Sequence, residues 1–255
     1  MTDHILFRLR ALPFLLSLGL LVIAGPENGF ADDIGNPAKP LVVVELFTSQ
    51  GCLSCPPADD FLKDLSARDD VLALSMHVDY WDYIGWKDPF AKPRFTNRQR
   101  QYASLMTLRY VYTPQMVING VYQTVGSRRD EVLGFIEKAK TEMKSVPVAI
   151  DLARENGALR VRLQKLDMPD TPDTIDVYAV FYDKLHSTAV GRGENSGRKI
   201  INANVVRDLQ RIAEWDGQDF NVSVRSDRDN KSDVAAVFLQ ARKSGRIIAA
   251  ARLEL

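Results

Sequence analysis

Two cysteines, Cys52 and Cys55, supply all the thiol chemistry that 255 residues offer. That count excludes a scaffold stapled by several disulfides and a zinc site built from several thiolates. Histidine is nearly as scarce, at three, and neither sign of charge is in excess, with 33 Lys+Arg against 33 Asp+Glu. Basic runs do not go beyond Arg98/Arg100 and Arg128/Arg129. The chain therefore lacks a surface for neutralising phosphates or sitting on anionic lipid, and no nucleic-acid partner is expected. A long apolar span is missing too: Ala11 to Gly25 carries no charge but falls short of the roughly 20 residues a membrane helix needs. What remains is globular composition, 45% hydrophobic and 26% charged, enough for one large domain or two modest ones.

The N-terminus reads as a targeting device. Arg8 and Arg10 edge the apolar stretch, and Gly29-Phe30-Ala31 places small residues three and one before a cut that would release a chain starting at Asp32. An uncleaved N-terminal anchor is the alternative. Residues 1–31 are thus read as a signal peptide, with the mature protein periplasmic or secreted and not membrane-bound. Cleavage removes neither cysteine, so the pair would stand where disulfides persist.

Along the mature chain, Leu41 to Phe47 is a β-branched apolar run suited to a strand covered on both faces. Ala58 to Arg68 has helical spacing, with Asp59 and Asp60 in a first turn where the helix dipole favours acids. A second apolar run follows at Val71 to Val78. After an aromatic-rich stretch, Thr96-x-x-Gln99 has capping-box spacing before a helix carrying Tyr102, Leu105 and Met106. Short strands at Gln115 to Ile118 and Val121 to Val125 flank Asn119-Gly120, a strong hairpin signal. A helix starts near Ser127-x-x-Asp130. From Val146 onward, alternating short strands such as Leu159 to Leu166, Thr174 to Tyr182, Val234 to Ala241 and Ile247 to Leu253 predict a second, mainly β domain. The expected boundary lies near Ser145 to Pro147, giving domains at 32–145 and 146–255.

Cys52-Leu53-Ser54-Cys55 follows the first strand and opens a helix. A thiol there faces unsatisfied N–H groups, which stabilise a thiolate and can lower its pKa from about 8.5 to between roughly 3.5 and 7.5. Pro56 and Pro57 suit a first helical turn and leave the N–H of Cys55 available to Cys52. Cys52 is then the exposed attacking thiol and Cys55 the resolving one. A static disulfide is the rival, stabilising the fold by only about 2 kcal/mol across so short a loop. No metal is expected, because His77 and His186, the histidines left after cleavage, lack ligand spacing to the pair.

Val42 to Phe61 (VVVELFTSQGCLSCPPADDF), His77 to Ala91 (HVDYWDYIGWKDPFA), Val111 to Gly120 (VYTPQMVING), Gly191 to Arg198 (GRGENSGR) and Asn204 to Arg207 (NVVR) resemble an exported bacterial family, domain of unknown function 1223, a thioredoxin-like group. The resemblance implies an α/β thioredoxin-like N-terminal domain followed by a mainly β, sandwich-like C-terminal domain. It also implies that Thr113-Pro114 is a cis-proline loop facing the cysteines, with backbone groups of Thr113 positioned to pair with an extended substrate. Thr113 to Gly120, with Gly126-Ser127 and Asp130, is also similar to the glutathione-binding half of glutaredoxins, which makes glutathione a candidate small thiol. The chain departs from glutaredoxins in its C-L-S-C pair and its insertion after Val78. It departs from thioredoxins in carrying Gln50-Gly51, not tryptophan, before Cys52.

Six aromatic residues, Tyr80, Trp81, Tyr83, Trp86, Phe90 and Phe95, lie within one short segment. They suit either a wall beside the cysteines, with Trp81 and Trp86 touching substrate, or packing over the sheet. His77 and Asp79 share a strand face by alternation and suit a proton relay or a structural pair. Glu194, Asn195 and Arg198 form a polar cluster in a Gly-flanked loop that either braces the sandwich or contacts the redox domain or a partner. The sequence thus points to an exported thiol–disulfide oxidoreductase without a bound cofactor, acting on a thiol/disulfide protein or a small thiol. The alternative is a periplasmic binding or structural protein with a passive disulfide.

Overall fold

The computed structural model describes residues 41–143, 148–166, 173–226 and 231–255. The expected export segment, the lead-in to Pro40 and the expected boundary at Ser145 to Pro147 lie outside them. Element order begins β1 (Val42–Thr48), α1 (Pro56–Ser66), β2 (Val71–His77), a 3-10 turn (Asp82–Ile84), α2 (Pro93–Leu105), β3 (Gln115–Ile118), β4 (Tyr122–Val125) and α3 (Arg129–Met143). There follow β5 (Ile150–Glu155), β6 (Ala158–Leu163), β7 (Ile175–Ala189), β8 (Lys199–Trp215), β9 (Phe220–Val224), β10 (Val234–Ala241) and β11 (Ile247–Glu254).

The strands form two sheets. One is an eight-stranded mixed sheet in the order β11-β10-β7-β8-β2-β1-β3-β4, and the other is a three-stranded antiparallel sheet, β5-β6-β9. Strand alternation sorts the apolar residues of the large sheet onto its two faces. Val42, Val44 and Leu46 meet Ala58, Phe61, Leu62 and Leu65 of α1 and Val132 and Ile136 of α3. Val43 and Phe47 point the other way, into a cluster with Phe95 and Tyr102 of α2. Farther along, Val177, Ala179 and Phe181 of β7 pack with Leu159, Val161 and Leu163 of the small sheet.

The expected thioredoxin-like domain followed by a separate β domain is not what the chain builds. The protein is mostly β, and one sheet runs through both halves. Strand β8 lies parallel to β2 through the pair Ser75↔Val205, and Asn204, at φ +47°, turns its side chain to donate to Ala73 O at 2.9 Å. The cluster under α2 mixes Phe47, Met76 and Phe95 with Tyr182, Val206 and Phe238. At the far edge the β3–β4 turn presses on the β10–β11 turn, where Asn119 Nδ2 donates to Ile247 O and a Cβ on Gly120 would fall 1.9 Å from Gly245 O. Asn119 and Gly120 both take positive φ, as the Asn-Gly hairpin signal requires.

Two local expectations change as well. Helix α2 begins at Pro93, a turn before Thr96, because the Thr96 hydroxyl donates to Asp79 Oδ1 at 2.6 Å and does not cap the helix. Strands β7 and β8 continue as a long hairpin well beyond Tyr182, carrying residues 190–198 at its tip.

Candidate functional site

Strand β1 ends at Thr48, and the chain turns through Ser49, Gln50 and Gly51 before the helix begins. Cys52 and Cys55 are joined by a disulfide in this turn. Cys55 is the N-cap of α1, and Pro56 and Pro57 fill the first helical positions, where their missing N–H groups cost no helical bond. The Cys55 N–H, left available to Cys52, donates to Cys52 O at 3.2 Å and so closes the turn.

Cys52 is not the exposed thiol anticipated. It retains 1% of its surface and Cys55 none. Leu53 and Ser54 lie exposed over the pair, and Ser54 Oγ approaches Cys52 Sγ at 3.4 Å and Thr113 O at 3.5 Å.

Thr113 and Pro114 stand opposite, joined by a cis peptide just before β3. The Thr113 hydroxyl donates to Cys52 Sγ at 3.2 Å and accepts from Trp81 Nε1 at 2.7 Å. Because an indole N–H can only donate, the hydroxyl must accept there, and its own hydrogen is directed to the sulfur. Trp81 also packs over Gly51, where an added Cβ would meet Trp81 Cβ and O at 3.4 Å. Trp86 reaches the same turn differently, donating from Nε1 to Gln50 Oε1 at 3.1 Å. Both tryptophans are half-buried, whereas Phe90 and Phe95 are core residues.

The polar cluster of the C-terminal half arrives on the tip of the β7–β8 hairpin. Asn195, fully buried, donates from Nδ2 to Gln50 O at 3.0 Å and to Cys52 O at 2.9 Å. Arg198 Nη1 donates to Asn195 Oδ1 at 3.1 Å, holding the amide in that orientation. Glu194 accepts from Leu53 N at 3.3 Å. Three turn residues flanking or including Cys52 are thus held by one distant loop.

A buried ionisable group lies behind the disulfide. His77, at the end of β2, does not pair with Asp79, which bonds Thr96. Its Nδ1 meets Asp88 Oδ2 at 2.7 Å, and the same oxygen accepts from Gln50 N at 2.8 Å. Burial alone would push the imidazole pKa down, but the charge and hydrogen bond of Asp88, with the charge of Asp59, raise it. Burial pushes Asp88 up, yet His77 and the N–H groups of Gln50 and Phe90 hold it below the usual carboxylate range. Asp59, in the acidic first turn of α1, is 3% exposed. Its Oδ1 accepts from Thr48 Oγ1 at 2.9 Å. Burial pushes its pKa up to about 7, against the opposing pull of His77 and Thr48. Asp59 lies four residues after Cys55, on the same helix face, which is the sequence signal for an inward carboxyl.

The family described as "Protein of unknown function (DUF1223)" matches residues 43–240. The crystal structure of protein AGR_C_4864 from Agrobacterium tumefaciens is similar at 31% identity, with a TM-score of 0.72 over 86% of this chain and 95% of that one. HBP35 of Porphyromonas gingivalis shares the fold at 16% identity, with a TM-score of 0.56 over 85% of this chain and 76% of that one. No curated protein matches.

Proposed function

This chain belongs to the family described as Protein of unknown function (DUF1223), and we propose that it is an exported thiol–disulfide oxidoreductase. The observation that carries the reading is the directed donor chain from Trp81 through Thr113 to Cys52 Sγ. A hydroxyl held on a sulfur stabilises that sulfur most when it is a thiolate, because hydrogen bonds to ionised groups are roughly twice as strong as neutral ones. Cys52 is the sulfur attacked and released as thiolate, and Cys55, at the N-cap of α1, breaks or remakes the bond to it. The substrate is a thiol/disulfide protein or a small thiol such as glutathione. The adjoining Thr113 backbone, Trp81 and Trp86 form its contact surface, with Asn195, Glu194 and Arg198 setting the turn. Residues 1–31 direct the protein to the periplasm or outside the cell, where such a pair meets oxidised partners.

A second reading, a binding or structural protein with a passive disulfide, is favoured by the burial of both sulfurs. The reduction potential of the pair and its exchange rate with glutathione separate the two. Exchange at a potential well above about −300 mV, with mixed disulfides trapped on Cys55→Ser, supports the oxidoreductase; a lower potential without exchange supports the passive bond.

A further inference from the structure

One charge of the distant hairpin stands beside the disulfide without a packing duty. Glu194 is exposed, and its carboxylate accepts from the N–H of Leu53, a residue between the two cysteines, at 3.3 Å. Leu53 is itself 51% exposed, so water would serve that N–H as well and the contact adds little to stability. The turn does not depend on it either, since Asn195 already holds the carbonyls of Gln50 and Cys52. What the contact does fix is the place of a negative charge.

The surrounding loop keeps that charge in place. Val190 N donates to Arg198 O at 2.9 Å and Gly197 N to Val190 O at 2.8 Å, closing the base of the tip. Gly193, at φ +75°, lies against Trp86, where an added Cβ would come within 3.3 Å of Trp86 Cβ. Asn195 follows Glu194 and is fully buried, so the carboxylate is carried between two anchored neighbours. Arg198, a cation of the same loop, reaches the turn through Asn195 Oδ1 at 3.1 Å. Exposed amides at the head of a helix draw anions; beside Cys52 the protein's own carboxylate occupies one of them.

We propose that Glu194 sets the charge specificity of the exchange, favouring cationic disulfides and thiols over anionic ones. The proposal rests on the exchange reading above and sorts its substrates: glutathione, with two carboxylates and one amine, falls on the slow side. In the oxidative direction the Cys52 thiolate attacks one sulfur of a substrate disulfide and expels the other half as a thiolate. The Cys55 thiolate then attacks Cys52 Sγ and expels the second half. The protein dithiol is oxidised, one disulfide is reduced to two thiols, and the two protons pass through solvent to the departing thiolates. At each step the substrate halves enter or leave past Glu194.

The test is oxidation of the reduced protein by three small disulfides: cystamine, hydroxyethyl disulfide and the disulfide of mercaptoethanesulfonate, which carry positive, no and negative charge. Glu194→Gln keeps an acceptor for Leu53 N and removes the charge. Any change in the Cys52 thiolate population is common to the three reagents and cancels in their rate ratios. At low ionic strength the variant is expected to lower the cationic-to-anionic rate ratio about three- to tenfold, the size expected of exposed charges within a Debye length. Glu194→Lys should carry the ratio further in the same direction. In about 1 M salt, where screening acts within about 3 Å, the difference between wild type and variant should vanish. Glu137→Gln, which removes an equal charge from the exposed face of α3, should leave the ratio unchanged. A ratio unmoved in Glu194→Gln, a shift that persists in high salt, or an equal shift in Glu137→Gln overturns the role of Glu194 while leaving exchange intact. No exchange by wild type with any of the three overturns the function itself.

Discussion

Thr113 and Cys52 are 61 residues apart in sequence, yet the hydroxyl of one donates to the sulfur of the other at 3.2 Å. Trp81 Nε1 occupies one acceptor position of the hydroxyl at 2.7 Å, leaving its hydrogen for the sulfur. Thr113→Val keeps the shape and removes the donor. Losing a hydrogen bond to a charged group, about 1.5 to 3 kcal/mol, raises the pKa of the reduced Cys52 thiol by about one to two units. The pH dependence of its alkylation by iodoacetamide reads this directly; an unchanged midpoint refutes it.

Asn195→Leu should loosen the turn without touching a sulfur. It strands the carbonyls of Gln50 and Cys52, both now served by Nδ2. At about 1 to 3 kcal/mol for each buried unsatisfied group, with partial relief by relaxation, the expected loss is about 2 to 4 kcal/mol. Urea denaturation measures it, and the amide hydrogens around residues 50–55 should exchange faster than in wild type.

Asp59→Asn should change the pH dependence of stability, and the sign follows from linkage. Burial pushes the folded carboxyl up to about 7, above the 3.8 of an ordinary aspartate. The folded state therefore binds more protons than the unfolded state between these values, and stability is lost as pH rises through the upper one. The raised imidazole of His77 acts in the same sense and is present in both proteins. Relative to wild type, the variant should gain about 2 to 3 kcal/mol between pH 5 and pH 9. Parallel denaturation curves with a constant offset would contradict the burial account.

Gly120→Ala tests the joint between the halves. The position has φ +71°, and the new methyl would meet Gly245 O at 1.9 Å. A backbone atom cannot rotate aside as a side chain can, so a loss of at least about 2 kcal/mol is expected. A thermal transition within a degree of wild type would show that the two turns do not press together.

Much of the first half was legible because its signals are local. The β-branched run of β1, the Asn-Gly turn and the two prolines after Cys55 each impose a conformation on their immediate neighbours. Glu45 shows where a local reading stops: it sits inside that apolar run, fully buried, and Arg98 of α2 reaches it with Nε at 2.5 Å and Nη2 at 3.0 Å. Strand β8 was harder still. Its polar, partly exposed residues lack clean alternation, and its pairing with β2 depends on the bend at Asn204.

The site followed the same division. Spacing identified Cys52 and Cys55, but burial of both sulfurs depends on Trp81, Thr113 and the 190–198 loop arriving from elsewhere. Asp88 could not be chosen over Asp79 as the partner of His77, because alternation along a strand carries no information about a segment that folds back over its end. Asp59 was readable from its i+4 relation to Cys55, and the acidic-turn rule obscured it.

The β7–β8 hairpin has a consequence for how this protein can be inherited. A segment ending after α3 would carry both cysteines, Thr113 and Pro114, yet it would leave behind Asn195 and the strand that covers β2. The open edge of β2 would then offer unpaired backbone to any neighbouring chain. The disulfide turn and the distant hairpin therefore form one heritable unit: recombination between them separates the chemistry from the part that shapes it.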